Sequence, residues 1–198
     1  KLFTISGHVN NPCVVEEELG VPLKYLLEHH AGGVRGGWDN LLAVIPGGCS
    51  TPMLNASEAK HQIMDFDALE LNGTSLGTGA VIVMDKSVDL VSAFRRYAHF
   101  YAHETCGQCT PCREGTHWLE RIMLYIENGR GTWDDLKLLD DIAFHIEGKN
   151  ICALGDAAAY GIQTMVSNFR PLLEDRIDRP WAYDKAAHMQ KPWSGLKN

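Results

Sequence analysis

The sequence has no apolar run approaching the roughly 20 residues that cross a bilayer, so any hold on a membrane is expected to come through partners. No secretory leader is expected from these residues. Positive charge is scarce: 18 Lys and Arg stand against 25 Asp and Glu, a net −7. The longest block of one sign is Glu16-Glu17-Glu18, which argues against nucleic acid as the main partner and for docking to protein. No Ser/His/Asp triad or paired-carboxylate constellation stands out, so hydrolysis has no support. The glycines of GGVRGGWDN and NGTSLGTGA do not follow a strand and open a helix, which removes a dinucleotide fingerprint. Repeats and low-complexity segments are missing as well. The 6 cysteines in 198 residues are too few for the dense disulfide framework of a small secreted domain, so a reducing compartment fits better.

What is present suffices for one sizeable core or two small ones, with 45% hydrophobic and 22% charged residues. The first half predicts strands around one short helix. LFTISGHV and CVVEEEL form a hairpin across Asn10-Asn11-Pro12. VPLKYLLEHH is a helix stopped by Gly32-Gly33, and LLAVIPGG is a strand. After a mixed loop, ALELNGTSLGTGAVIVMD reads as strand pieces joined by glycine turns. The expected fold class is α+β: a small β-grasp domain over 1–86, then an all-α four-helix bundle over 87–177, then a tail over 178–198 with Trp181 and Trp193.

In the second half the period changes to helical. Val91, Phe94, Ala98 and Tyr101 mark a first helix from about Ser87. Trp118, Ile122 and Ile126 mark a second, ended by Gly129. Thr132 with Asp135 predicts a capping box for the third, and Asp156 is the expected cap of the fourth, which Pro171 interrupts or ends.

Between these helices lies HETCGQCTPCREG, and further on ICALGD, which together make C-x2-C-x2-C-x39-C from Cys106, Cys109, Cys112 and Cys152. Structural zinc normally uses two separated Cys-x2-Cys knuckles. Three thiols on one curved loop suit three corners of an iron–sulfur cubane, with the distant cysteine on the last iron. Pro111 stiffens the loop and Gly107 permits its turn. Zinc, and four unligated thiols, remain as alternatives. Cys13 and Cys49 read as free thiols, while His103 and His145 read as neighbours or surface groups rather than ligands. Arg113 and Lys149 flank the ligand loops, as tuning charges or as plain surface charges.

Several stretches, SGHVNNPCVVEEELGVPLKYLLE, HAGGVRGGWDNLLAVIPGG, GTGAVIVMD, ETCGQCTPCREG and ICALGDAAA, resemble the family of NADH-oxidising flavoprotein subunits of respiratory complex I, in its mitochondrial form, in order across roughly residues 1–177. Flavoprotein subunits of NAD-reducing hydrogenases and formate dehydrogenases share this layout. The resemblance implies a [4Fe–4S] cluster on Cys106, Cys109, Cys112 and Cys152, with Ala153 and Leu154 between cluster and flavin. It implies electron entry from NADH through FMN toward quinone, as part of an assembled NADH:ubiquinone reductase. Implied partners are other peripheral-arm subunits, above all the [2Fe–2S] and the large iron–sulfur subunit, at the matrix side of the mitochondrial inner membrane. The family's FMN- and NADH-binding domain has no counterpart among these residues, which begin at Lys1 without methionine. A partial chain, a split subunit and a truncated relative are all compatible with that, and a scaffold subunit with a structural metal site is the non-catalytic alternative.

Overall fold

The computed structural model describes residues 1–179; the expected tail lies outside the described residues apart from Asp178 and Arg179. Strand β1 (Leu2–Gly7) buries Phe3 and Ile5 and exposes Leu2 and Thr4, the period of a half-buried strand. β2 (Cys13–Glu16) pairs with it antiparallel, Phe3 opposite Val15, which closes the predicted hairpin. Helix α1 (Leu23–Tyr25) continues into a π-helical turn, Leu26–His30, and lays Leu23, Leu26 and Leu27 into the core. Gly32 and Gly33 end it with φ of 67° and 84°, a region open to glycine at little cost.

β3 (Leu41–Ile45), β4 (Leu54–Asn55) and β5 (Ala80–Asp85) complete a five-stranded sheet of order β2-β1-β5-β3-β4. β1 and β5 run parallel at its centre and the other pairs are antiparallel. The hairpin, the helix and the parallel central pair make up the expected β-grasp arrangement.

Two expectations for this half are corrected. The mixed loop contains β4 and α2 (Ala56–Ala59), whose Asn55 and Glu58 form a reciprocal capping box. ALELN is not a strand but most of α3 (Phe66–Leu71): Asp65 accepts a hydrogen bond from the Ala68 amide at 2.6 Å and so starts a helix. The Leu69, Leu71 alternation misleads because Leu71 is 91% exposed and contributes nothing to a sheet face.

The second half is four helices, α4 (Leu90–Glu104), α5 (Thr110–Glu127), α6 (Trp133–Ile146) and α7 (Leu154–Asp178). α4 and α6 each lie against both α5 and α7, around a core that includes Phe94, Leu119, Met123, Leu139, Ala143, Ile162 and Met165. The Thr132–Asp135 capping box is present. Asp156 does not cap α7, which starts earlier, at Ala153. Its carboxylate instead accepts the Gly148 amide at 2.7 Å and ties the start of α7 to the end of α6. At Pro171, which lacks an amide to donate, the helix is kinked rather than ended: Phe169 leaves helical geometry at φ −128°, ψ 21° and the chain resumes to Asp178.

The sheet serves both cores. Val81 and Val83 of β5 face the α1 side, whereas Ile82 and Met84 face the bundle. β3 does the same, with a register shift between Leu41 and Ala43 that turns Leu42 and Ala43 both toward the helices. Across this seam Met53 donates its amide to Thr164 Oγ1 and accepts from Asn168 Nδ2.

Candidate metal centre

α4 stops at Glu104, and Thr105 is already extended. The chain then turns at Gly107, whose φ is 76°, and re-enters helix at α5 with Cys109 as its N-cap and Pro in the first turn. Cys106 and Cys109 are therefore on the connection, but Cys112 is on the first turn of α5 rather than on a loop. That corrects the expectation of three thiols on one loop. The signal was Thr110-Pro111, since proline favours the first helical positions. Cys152 immediately precedes the N-cap of α7.

The four thiols meet around one cavity of about 120 Å³, lined also by Glu104, Thr105, Asn150 and Leu154. Cys112 is buried, Cys109 half-buried, Cys106 and Cys152 exposed. A larger groove of about 870 Å³ runs along α5 and α6 past Trp118, Tyr125 and Leu138, but it holds no cysteine. Among the described residues no group of three or more His, Cys, Asp or Glu side chains converges as a site for a single metal ion. The four thiols frame a cavity with room for a multi-atom inorganic core, and thiolates are the donors such a core takes.

The surroundings pull both ways on negative charge at sulfur. Two helix N-termini, those of α5 and α7, point their positive ends toward the cavity. The Ile151 amide donates to Cys109 Sγ at 3.3 Å, and Thr105 Oγ1 lies 3.1 Å from Cys112 Sγ. Burial pushes the Cys112 thiol above its usual value; the Thr105 contact works against that rise, while the other thiols, Cys152 first, add to it. Bound cations reverse such thiolate–thiolate repulsion.

Arg113 holds the loop's shape: its Nη1 donates to the Gly107 carbonyl at 2.7 Å and its Nε to Glu114. Lys149 instead donates to the Phe144 carbonyl and lies over that ring, away from the cavity. His103 and His145 are exposed, bonded to Glu104 Oε1 and to the Asp141 carbonyl. Cys13 sits in β2 opposite Ile5, and Cys49 accepts from Tyr101 at 3.6 Å, so neither joins the four. Leu154 lines the cavity and Ala153 caps α7. Thr105 escaped sequence reasoning, because a hydroxyl between a helix end and a cysteine carries no pattern of its own.

Residues 92–176 match the NADH-ubiquinone oxidoreductase-F iron-sulfur binding region, and residues 1–83 match the SLBB domain. The mitochondrial NADH-ubiquinone oxidoreductase 51 kDa subunit of Neurospora crassa is 58% identical over 177 residues, which is 89% of this chain and 36% of that protein. The chain is a homologue of the 51 kDa, or F-type, subunit of NADH-quinone oxidoreductases. An F-type NADH-quinone oxidoreductase subunit of Rhizobium meliloti is 54% identical over 178 residues, covering 90% of this chain and 41% of the bacterial one. The chain thus spans about four-tenths of the length of the curated F-type relatives it matches, and it corresponds to their C-terminal part. Among solved structures, an NAD+-reducing [NiFe]-hydrogenase in the air-oxidized state aligns with a TM-score of 0.78 at 30% identity, over 89% of this chain and 30% of that one. The hydrogenase chain thus shares the β-grasp-plus-bundle fold.

Proposed function

We propose that this chain is the cluster-bearing segment of the electron-input unit of an NADH:ubiquinone oxidoreductase. The observation that carries the reading is the meeting of Cys106, Cys109, Cys112 and Cys152, from two distant stretches, around one cavity at two helix N-termini. These are the ligands of a [4Fe–4S] cluster, which when bound supplies one-electron acceptance from FMN reduced by NADH and donation toward quinone. The chain's own residues hold that group in place, donate hydrogen bonds to its thiolates and limit solvent access on the Cys112 side.

FMN and NADH belong to a part of the F-type protein that these residues do not span, so activity resides in the assembly. Ala153 and Leu154, at the start of α7, would lie between cluster and flavin in this reading. The division 1–86, 87–177 and 178–198 separates the SLBB unit, the cluster bundle and a docking tail. Partners are other complex I peripheral-arm subunits, in particular the [2Fe–2S] and the large iron–sulfur subunit, and an FMN- and NADH-binding half. The location is the matrix side of the mitochondrial inner membrane; among the described residues no helix is long and apolar enough to cross it.

A second reading, the flavoprotein-type subunit of an NAD-reducing hydrogenase, is favoured by the fold match to such an enzyme. Complex I is favoured by the higher identity to its 51 kDa subunit.

The test is iron, acid-labile sulfide and flavin content of the native assembly containing this chain, with spectra before and after NADH. About four irons per chain and an NADH-reducible cubane signal support the proposal. Zinc in place of iron, or iron that NADH does not reduce, refutes it.

A further inference from the structure

Cys112 is the most enclosed of the four thiols, 6% exposed, and its sulfur has a side-chain hydroxyl beside it: Thr105 Oγ1, 3.1 Å away. Distance alone leaves the direction of that bond open, but its surroundings decide it. Thr105 Oγ1 already accepts the Gly107 amide at 3.3 Å, so one lone pair is occupied and the hydroxyl proton is free to point elsewhere. A ligating Cys112 is a thiolate with no proton to give. The hydroxyl is therefore the donor and the sulfur the acceptor, and the Gly107 amide orders the hydroxyl for that task.

The other hydrogen bond to a ligand sulfur, from the Ile151 amide to Cys109, comes from backbone, and Arg113 spends its donors on the Gly107 carbonyl, Thr110 and Glu114. Among these contacts, Thr105 offers the one side-chain donor to a ligand sulfur. Because it acts where Cys112 is screened from water, the local dielectric is low and the contact is strong.

We propose that Thr105 is a positioning residue that, through its hydrogen bond to Cys112 Sγ, raises the reduction potential of the cluster this chain holds. The inference rests on the cluster assignment above. One-electron reduction places one more negative charge on the cluster and its thiolates, taken in this reading from reduced flavin. A donor to a thiolate stabilises the more negative state more than the less negative one, and hydrogen bonds to ligand sulfurs are a recognised determinant of such potentials. Removing the donor must shift the equilibrium toward the oxidised form.

The experiment is a potentiometric titration of the cubane signal in the native assembly carrying Thr105→Val, which keeps the shape, and Thr105→Ser, which keeps the hydroxyl, beside the unsubstituted protein. Iron and sulfide are counted in each. With full iron, Thr105→Val should disfavour reduction by about 3- to 10-fold, a downward shift of roughly 30–60 mV at 59 mV per tenfold for one electron, and Thr105→Ser should titrate like the unsubstituted protein. An unchanged potential in an iron-replete valine variant overturns the proposal and leaves the cluster assignment standing. Absence of iron from the unsubstituted protein overturns the assignment itself. If the valine variant comes without iron, Thr105→Ala is titrated in its place under the same criteria; loss of iron from both, with retention in Thr105→Ser, shows the hydroxyl to be needed for holding the cluster and overturns a tuning role.

Discussion

Arg176, in the last turns of α7, reaches the first residue before α4: its Nη2 lies 2.8 Å from Asp89 Oδ1, and both side chains are about nine-tenths buried. Its Nη1 also donates to the Glu127 carbonyl at the end of α5. One guanidinium thus joins three helix ends at the side of the bundle away from the cysteines. Removing Asp89 takes the carboxylate from beside a guanidinium that stays largely buried, and a buried charge without its counter-charge is costly. Asp89→Ala is expected to lower unfolding free energy by about 3–5 kcal/mol, read from a denaturant midpoint, with a smaller loss for Asp89→Asn, which still accepts a hydrogen bond.

Gly161 of α7 lies directly under the ring of Tyr97, whose hydroxyl donates to the Ala157 carbonyl and accepts the Gly161 amide. A methyl at 161 would overlap the Tyr97 ring itself, which neighbouring Phe94 and Tyr101 hold in place. Gly161→Ala is expected to cost about 1–3 kcal/mol as overpacking, despite alanine's better helix propensity. A melting temperature at or above that of the parent protein would contradict this.

Asp85 at the end of β5 is buried, which works to raise its carboxyl, but hydrogen bonds from the Ser87 hydroxyl and amide, with His8 beside it, outweigh burial and hold it below its usual value of 3.8. A folded value below the unfolded one contributes stability that is complete above the unfolded value and is lost as pH falls through the folded one. Stability measured from pH 6 downward should therefore fall below about pH 4, and Ser87→Ala should make that acid limb shallower. An identical limb in the variant would exclude Asp85 as its source.

The two sets of cysteines separate cleanly by position. Cys152→Ser is expected to strip most iron from the assembly or abolish its cubane signal, because Cys152 lines the cavity from the opposite stretch of chain. Cys49→Ser should leave iron content unchanged, since Cys49 meets Tyr101 rather than the cavity. Metal analysis of the two variants side by side decides the point.

Gly107 turns between the first two cysteines at φ 76°. Gly107→Ala places a side chain in a left-handed conformation at about 1–2 kcal/mol, and the relaxed loop should release iron to chelators faster than the parent does.

The helical half was legible in detail because apolar residues recur at helical spacing within each helix, as Val91, Phe94 and Ala98 or Leu136, Leu139, Ala143 and Ile146 do, and reach one core. Thr132 and Asp135 announced their cap, since both partners of the box are local. Asp156 misled for the opposite reason: its partner is the Gly148 amide, across the α6–α7 connection, which local pattern does not reveal. α3 was lost because Leu69 alone anchors it, too little for a period to show. The four cysteines were legible as a spacing, but that Cys112 stands on a helix, beside a threonine hydroxyl, depends on how the chain folds back after Glu104.

The central strand β5 is a wall shared by two rooms. Val81 and Val83 furnish one interior, Ile82 and Met84 the other. A slip of one residue would exchange the two sets and spoil both interiors at once. Gly7 guards that alignment from the neighbouring strand, for any side chain there would collide with the Val83 backbone. Loosening of the sheet therefore strips the bundle of its floor, and the cysteine-bearing helices share the fate of a sheet they never touch with their thiols. Heat or denaturant should meet one cooperative transition, with loss of the sheet and of the helices superimposed.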